Sequence, residues 1–320
     1  MDLKECILKT LIRSNDYISG EYMASQNNVS RNAVWKAINS LRKQGYEINA
    51  VQNKGYILED SNQYLVEKIK SKLLYNQNVE YVPTVTSTND LALEYGKNRR
   101  EEGTIIIANN QTKGRGRYNR EFFSPAETGI YFSILLYPNI HFSKALFITT
   151  SAAVAVCGAF EKLYGIDAQI KWVNDIFINN KKVCGILTEA HINMETSEID
   201  YAVLGIGINL FQPKNSFPDS LSNIAGAVFN MDNQDDSIKI NIVSEIVNRF
   251  WENYKNLEKT LYLKEYIDRS LVKGKYVLIE KNNIKEKAYV LGITDDFKLY
   301  VEYGDGKTAF LDSGEVSLIL

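Results

Sequence analysis

The longest uncharged run in the chain, Ala145 to Phe160, sets the scale of what this sequence has to build. Coiled as a helix it is apolar on every side, and such a helix must be enclosed. It is shorter than the ~20 residues that span a bilayer, and Thr149, Thr150 and Ser151 lie inside it. The run therefore predicts a buried core helix in a domain of substantial size. A chain of 320 residues has room for about two to three domains.

Composition removes several function classes. Thirty-seven basic against 39 acidic residues give a net charge of −2, so no global basic field points to nucleic acid and a local one has to be sought. Cys6, Cys157 and Cys184 are few, odd in number and scattered, which excludes a disulfide framework and a Cys-rich zinc site. With only His141 and His191, no His-based metal cage is available, and no metal-ligating residues are assigned. The start, Met1-Asp2-Leu3-Lys4-Glu5, has acids where a signal peptide needs a basic end, so a soluble, cytoplasmic protein without a membrane partner is expected.

Residues 1–60 have a helical period. Leu3, Ile7, Leu8, Leu11 and Ile12 predict an amphipathic helix over about residues 2–14, broken at Ser14-Asn15-Asp16. A short helix from about Gly20 to Gln26, a turn at Asn27-Asn28-Val29 and an N-cap at Ser30 lead into a longer helix, stopped near Gln44 by Gly45. There Val34, Ile38 and Leu41 form the buried stripe. Asn32, Lys36, Asn39 and Lys43 share another face, with Arg31 and Arg42 beside them. Asn pairs with adenine edges, and Lys and Arg neutralise phosphates, so this face suits a major groove.

Tyr46 to Val51, a Gln52-Asn53-Lys54-Gly55 turn and Tyr56 to Leu58 follow as two short strands. Together these segments predict a winged helix-turn-helix that binds DNA through Arg31, Asn32, Lys36, Asn39, Lys43 and Lys54. A merely solvated basic face and a protein-docking module are the alternatives. Eight basic against seven acidic side chains leave the segment at only +1, so one copy binds weakly and a dimer on successive half-sites offsets the deficit.

Asp60-Ser61-Asn62 reads as a linker and Tyr64 to Leu74 as a helix. Strands are predicted at Thr104–Ala108, Ile130–Leu136, Ile170–Trp172, Asp175–Ile178, Val183–Glu189 and Ala202–Leu210, with a hairpin turn at Asn180-Lys181. Helices are predicted over Ser143–Tyr164 and Ile238–Lys259. The expected fold class over residues 61–270 is α+β, a central mixed sheet with helices on one face. No G-x-x-x-x-G-K-[ST] occurs, and Gly205-Ile206-Gly207-Ile208-Asn209-Leu210 lacks the last glycine of a dinucleotide fingerprint. Those glycines mark close packing against a ligand or another strand.

The strongest local signal is Gln111-Thr112-Lys113-Gly114-Arg115-Gly116-Arg117-Tyr118-Asn119-Arg120. Glycines permit close backbone approach, and guanidiniums offer paired donors to phosphate or carboxylate. Set between buried strands, the run reads as an anion-binding loop rather than a solvated tail. A second constellation is Lys171-Trp172-Val173-Asn174-Asp175 with Lys182. Lysines in apolar strands need an anionic partner; Asp175 is one, and a purely structural ion pair stays open.

Ser87-Thr88-Asn89, Gln111, GRGR at 114–117, KWVND at 171–175, KKVCGILTE at 181–189 and GIGIN at 205–209 resemble the biotin–protein ligases. With the winged helix, the resemblance is to the bifunctional subclass that is also the biotin operon repressor, and it covers essentially the whole chain. It implies activation of biotin by ATP to biotinyl-5′-AMP, assisted by Mg²⁺, and transfer to a lysine of a biotin carboxyl carrier protein domain. It implies operator DNA as a second partner and a homodimer when the adenylate is bound.

By the same resemblance Ser87, Thr88, Asn89 and Gln111 hold biotin, with Arg115, Gly116 and Arg117 closing the site and Lys182 on the carboxylate or phosphate. Arg117, Arg120, Phe122, Asn174, Lys182 and Asn209 are implied for ATP or the adenylate. Arg115, Arg117, Lys182 and Asp175 are the implied catalytic set, Asp175 positioning or deprotonating the carrier lysine. The arginines are expected to repel one another until the adenylate orders the loop. Val173 stands where the family has proline, Tyr118-Asn119 where some members have Arg-Gly, and Phe122 near a common tryptophan.

Over residues 271–320 five short strands, at Tyr276–Ile279, Lys287–Leu291, Leu299–Tyr303, Thr308–Leu311 and Val316–Leu320, predict a small SH3-like barrel. It either helps to close the ATP site or is an inert cap. A lipoate or octanoate transferase of the same fold, a biotin sensor without catalysis, and a ligase that does not read DNA are the competing functions.

Overall fold

The computed structural model describes residues 2–12, 14, 16–43, 46–58, 62–214, 216–229, 236–281, 284–312 and 314–318. Asn15 in the first break, the helix stop at Gly45, the linker residues Asp60 and Ser61, the Asn282-Asn283 turn, Ser313 and the last two residues lie outside that set. By compactness the chain divides into Met1–Lys72 with Asp236–Ile240, and Leu73–Asp235 with Asn241–Leu320.

In the smaller unit, α1 (Leu3–Ile12), α2 (Gly20–Gln26) and α3 (Arg31–Lys43) enclose one apolar core. Ser19 Oγ caps α2 by accepting from Tyr22 N (3.1 Å), and Ser30 Oγ caps α3 by accepting from Ala33 N (3.2 Å). β1 (Ile48–Val51) pairs antiparallel with β2 (Gly55–Leu58), forming the wing. Gly55 is at φ +117°, and a Cβ there would meet Ile18 O at 2.1 Å, because Ile18 bonds to Tyr56 in both directions. α4 (Asn62–Lys72) ends this unit's continuous stretch.

The larger unit is built on a seven-stranded mixed sheet. Its strands are β3 (Val79–Val85), β4 (Ile105–Gln111), β5 (Gly129–Leu136), β6 (Gln169–Lys171), β7 (Asp175–Ile178), β8 (Lys181–Asn193) and β9 (Glu198–Asn209), in spatial order β3-β4-β5-β9-β8-β7-β6. Only β3 and β4 run parallel, joined by α5 (Thr88–Lys97). β3 and α5 have no counterpart in the sequence reading. Pro83 breaks the strand signal, and an edge strand tolerates it because one side needs no donor. The β7–β8 hairpin turns on Asn179 and Asn180, both at positive φ, one residue earlier than expected.

Helices cover both faces of this sheet rather than one. Leu187 pairs with Gly205, and Asn89 at the start of α5 lies against Gly205. Thr188, one residue on and therefore on the opposite face, bonds to Thr149 of α6 (Ala145–Tyr164) at 2.7 Å. With the turn before it, α6 is long and apolar enough to cross a membrane by composition alone, yet Phe147 to Phe160 are all buried inside the unit. Its close packing shows at Gly158, where a Cβ would stand 2.6 Å from Arg249 Nη1.

After α7 (Asp219–Ser222), α8 (Asp236–Tyr254) and α9 (Leu263–Asp268) comes a second sheet. β10 (Tyr276–Lys281), β11 (Ile284–Ile293), β12 (Leu299–Tyr303), β13 (Thr308–Leu311) and β14 (Glu315–Leu318) are antiparallel in the order β13-β12-β11-β10-β14, as a small SH3-like sheet requires. It belongs to the same compact unit as the central sheet. Phe297, wholly buried in the β11–β12 turn at φ +62°, joins the two. Its ring packs 5.3–5.4 Å from Phe147, Tyr262 and Tyr266, and its carbonyl accepts from Trp172 Nε1 (2.9 Å).

Candidate functional site

The arginine loop leaves the end of β4 and folds back on itself: Gly116 N donates to Arg120 O (2.7 Å) and Phe122 N to Gly114 O (2.8 Å). Gly114 is required, since a Cβ would lie 2.4 Å from both Phe122 O and Ser124 Oγ. The expected repulsion among the arginines is offset within the chain. Arg115 Nη2 is 2.6 Å from Asp90 Oδ1 and 3.0 Å from Glu189 Oε2, and Arg117 Nη1 donates to Asn174 Oδ1 (3.2 Å).

Below the loop, a buried polar network fixes the start of α5. Gln111 Oε1 accepts from Thr88 N (2.9 Å) and Thr88 Oγ1 (3.2 Å), while its Nε2 donates to Ser124 Oγ (3.0 Å). Ser133 Oγ on β5 lies 2.7 Å from both Thr88 Oγ1 and Asn89 Oδ1. Asn89 Nδ2 donates to Glu189 Oε2 (2.7 Å), so one carboxylate orients both Asn89 and Arg115. Ser87, Thr88, Asn89 and Ser133 are all buried, and their interlocking bonds make this wall rigid.

The glycines of β8 and β9 shape the sheet side. A Cβ at Gly207 would stand 2.5 Å from the Phe122 ring and one at Gly185 3.0 Å, so these glycines admit that ring. Lys182 Nζ lies 2.7 Å from Asp175 Oδ1, and both side chains are largely enclosed. Asn174 is fixed to Ile186 twice, through Nδ2 to Ile186 O (2.9 Å) and through its carbonyl from Ile186 N (3.0 Å). The neighbouring Cys184 thiol is pushed well above the usual range by burial, which leaves it neutral and unreactive.

These walls enclose a cavity of about 500 Å³, large enough for a bulky small molecule. Five basic side chains, Arg115, Arg117, Arg120, Lys171 and Lys182, line it against two acidic ones, Glu121 and Asp175. The excess of positive charge suits an anionic occupant. Among the described residues no cluster of three or more His, Cys, Asp or Glu side chains is placed to hold a metal ion.

Ser87, Thr88, Asn89, Gln111, Gly116, Phe122 and Asn174 also line this cavity, as do Gly205 and Gly207. Asn209 does not; it ends β9 opposite Gly129 and accepts from Val228 N (2.9 Å). Sequence reasoning passed over Asp90 and Ser133 as site residues, and gave Tyr118 and Glu189 no role. It also left open whether the last sheet reaches the site. Gly314, Val316, Ser317 and Leu318 contribute to the lining.

In the smaller unit Arg31, Asn32, Lys36 and Lys43 are exposed along α3, with Trp35, 52% exposed, among them. Arg42 instead holds the wing, donating to Ile48 O from Nε (2.8 Å) and Nη2 (2.6 Å). Its Nη1 donates to Asn39 Oδ1 (3.3 Å), so Asn39 is half-buried and partly engaged. Lys54, at the wing turn, is exposed with its Nζ 5.8 Å from the centre of the Tyr17 ring.

Residues 81–209 match the model of the Biotin/lipoate A/B protein ligase family, and residues 4–57 match an HTH domain model. Over 216 residues the chain is 41% identical to the Bifunctional ligase/repressor BirA of Bacillus subtilis (strain 168), covering 66% of each chain. The protein of that name from Salmonella typhimurium is 32% identical over 207 residues, 63% of this chain and 62% of the relative. The chain thus aligns with just under two thirds of the length of these relatives. A biotin protein ligase from Aquifex aeolicus, solved in complex with biotin and ATP, shares the fold with a TM-score of 0.61 and 24% identity, over 76% of this chain and 98% of that one.

Proposed function

Because the chain belongs to the Biotin/lipoate A/B protein ligase family and carries an HTH domain ahead of its ligase domain, we propose that it is an ATP-dependent biotin–protein ligase and a biotin-responsive repressor. The observation that carries the ligase reading is the cavity itself, an enclosed polar wall facing a cluster of five cations. In the first step a biotin carboxylate oxygen bonds to the α-phosphorus of ATP, and pyrophosphate leaves with its bridging oxygen. Two anions must meet, so the charge that builds up needs fixed cations around it.

Lys182 and Arg117 do that work in this reading, which their contacts to Asp175 and Asn174 support. Arg120 extends the positive rim, and Phe122 offers a ring face to a base. Ser87, Thr88, Asn89 and Gln111 hold the biotin head group, with Gly116 leaving the backbone open to it. Arg115 shapes the loop from its two carboxylates. The donor set fits a Mg²⁺ ion that arrives on the triphosphate rather than a resident one, with Asp175 the carboxylate within reach. When bound, such an ion offsets charge on the departing pyrophosphate.

In the second step the amine of a carrier lysine attacks the acyl carbon, the mixed-anhydride C–O bond breaks and AMP leaves. The attacking nitrogen gives its proton to the Asp175 carboxylate, the role assigned here to that residue because it lines the cavity beside Lys182. Incubation with biotin, ATP and a biotin carboxyl carrier protein domain should biotinylate one carrier lysine, read by mass spectrometry. An unmodified carrier would contradict the reading.

The exposed basic face of α3 and the wing Lys54 support operator binding. Arg31, Asn32, Lys36 and Lys43 are the contacts, with Asn39 restricted by Arg42. The adenylate-bound form acts as a homodimer in a cytoplasmic setting, which sedimentation with and without biotin and ATP checks; an unchanged monomer would contradict it.

A further inference from the structure

Tyr118 holds a backbone conformation that its side chain does not favour. It stands at φ 56°, ψ 36°, the left-handed region where a bulky aromatic residue is a rare occupant. The residue is 61% exposed, so burial does not account for the conformation. The phenol oxygen is engaged instead. It accepts from Gly314 N (3.1 Å), in the segment leading into β14, and from Arg117 Nη2 (3.3 Å). The Arg117 guanidinium also lies 5.1 Å from the centre of the Tyr118 ring.

Arg117 Nη1 donates to Asn174, and Asn174 is bonded twice to Ile186 on β8. A continuous chain of contacts therefore runs from the central sheet through Asn174, Arg117 and Tyr118 to the C-terminal sheet. All five residues, Ile186, Asn174, Arg117, Tyr118 and Gly314, line the same cavity. Tyr118 is the link that joins the arginine loop to the second sheet, whose residues 316–318 form part of the wall.

We infer that Tyr118 is a positioning residue that latches the arginine loop to the Gly314 backbone and thereby slows escape of the acyl-adenylate from the cavity. This rests on the ligase reading above. A reactive mixed anhydride has to be kept from water and stray amines until the carrier lysine arrives, and a tied loop serves that end. The Tyr118–Gly314 contact is a neutral hydrogen bond, strong enough to slow loss and weak enough to open for the carrier.

The test uses the 320-residue chain and Tyr118→Phe, which keeps the ring over Arg117 and removes only the hydroxyl. Residue-resolved hydrogen exchange should show the Gly314 amide exchanging about three- to tenfold faster, the factor one neutral hydrogen bond supplies. The β14 amides paired with β10 should keep their rates. Preloaded with labelled biotin and ATP, the variant should lose biotinyl-adenylate about three- to tenfold faster than the parent chain. An unchanged Gly314 rate, or a faster Gly314 rate with unchanged adenylate loss, would overturn the latch. Failure of the parent chain to form adenylate would contradict the ligase reading and the retention role with it. That failure is told apart because the amide measurement needs no ligand.

Discussion

Lys182 and Asp175 are 2.7 Å apart in a largely enclosed corner, and each is costly to bury alone. The pair fixes the Lys182 side chain in the cavity wall, where the proposed reaction calls for a cation. Lys182→Ala should lower biotin-dependent adenylate formation by about 10²–10³-fold, the scale of losing one preorganised donor. A loss under tenfold with unaltered thermal stability would place the charge stabilisation elsewhere. Arg115 is different, because Asp90 and Glu189 already share its guanidinium. Both types of arginine look alike in the sequence, since Asp90 and Glu189 belong to distant elements and only the fold brings them together. GRGR and KWVND were legible as chemistry because their charged residues cluster in a few consecutive positions.

Elements whose period matches their packing were also legible: α3 begins at its Ser30 cap, and α6 is the buried helix its apolar run demands. β3 was hidden by Pro83, and α5 by a polar first turn whose Thr88 and Asn89 bond to Gln111, Ser133 and Glu189 rather than within the helix. Phe297 was hidden inside a turn, although it fixes one sheet to the other. Phe297→Ala should cost about 3–5 kcal/mol of stability, as loss of a buried ring and the cavity left behind imply. Urea unfolding checks this, and a change under about 1 kcal/mol would mean that the sheets are held by something else.

Helix α8 meets α6 through Glu245, whose Oε1 is 2.9 Å from Lys162 Nζ and 2.7 Å from Arg249 Nε. Burial acts to raise the Glu245 pKa, yet the hydrogen bonds from Lys162 and Arg249 leave it below the ordinary glutamate value. A depressed carboxylate stabilises the fold above its unfolded pKa and loses that contribution as pH falls through the folded one. The larger unit should therefore weaken below about pH 4.5, and Glu245→Gln should flatten that part of the profile. A parallel acid profile in the variant would refute the assignment.

At the scale of the whole molecule, the −2 net charge conceals two basic features, a helix face in one unit and a cavity in the other. Neither shows in composition; both appear only when charge is placed on elements. If the proposed operator binding holds, the near-neutral charge of the winged helix predicts an affinity that is salt-sensitive and modest per copy. Lys36→Ala should weaken operator binding across sequences and lower the salt slope by about 1 per copy, as expected for a lost phosphate contact. An unchanged slope would remove α3 from the interface.

The ligase claim stands or falls on one measurement, biotin-dependent exchange of pyrophosphate into ATP by the purified chain, with lipoate as the parallel substrate and Arg117→Ala as the variant. Exchange is expected with biotin and not with lipoate, with a large loss on removing the guanidinium that Asn174 and Tyr118 hold over the cavity. Exchange with lipoate alone, or with neither acid, would contradict the ligase claim.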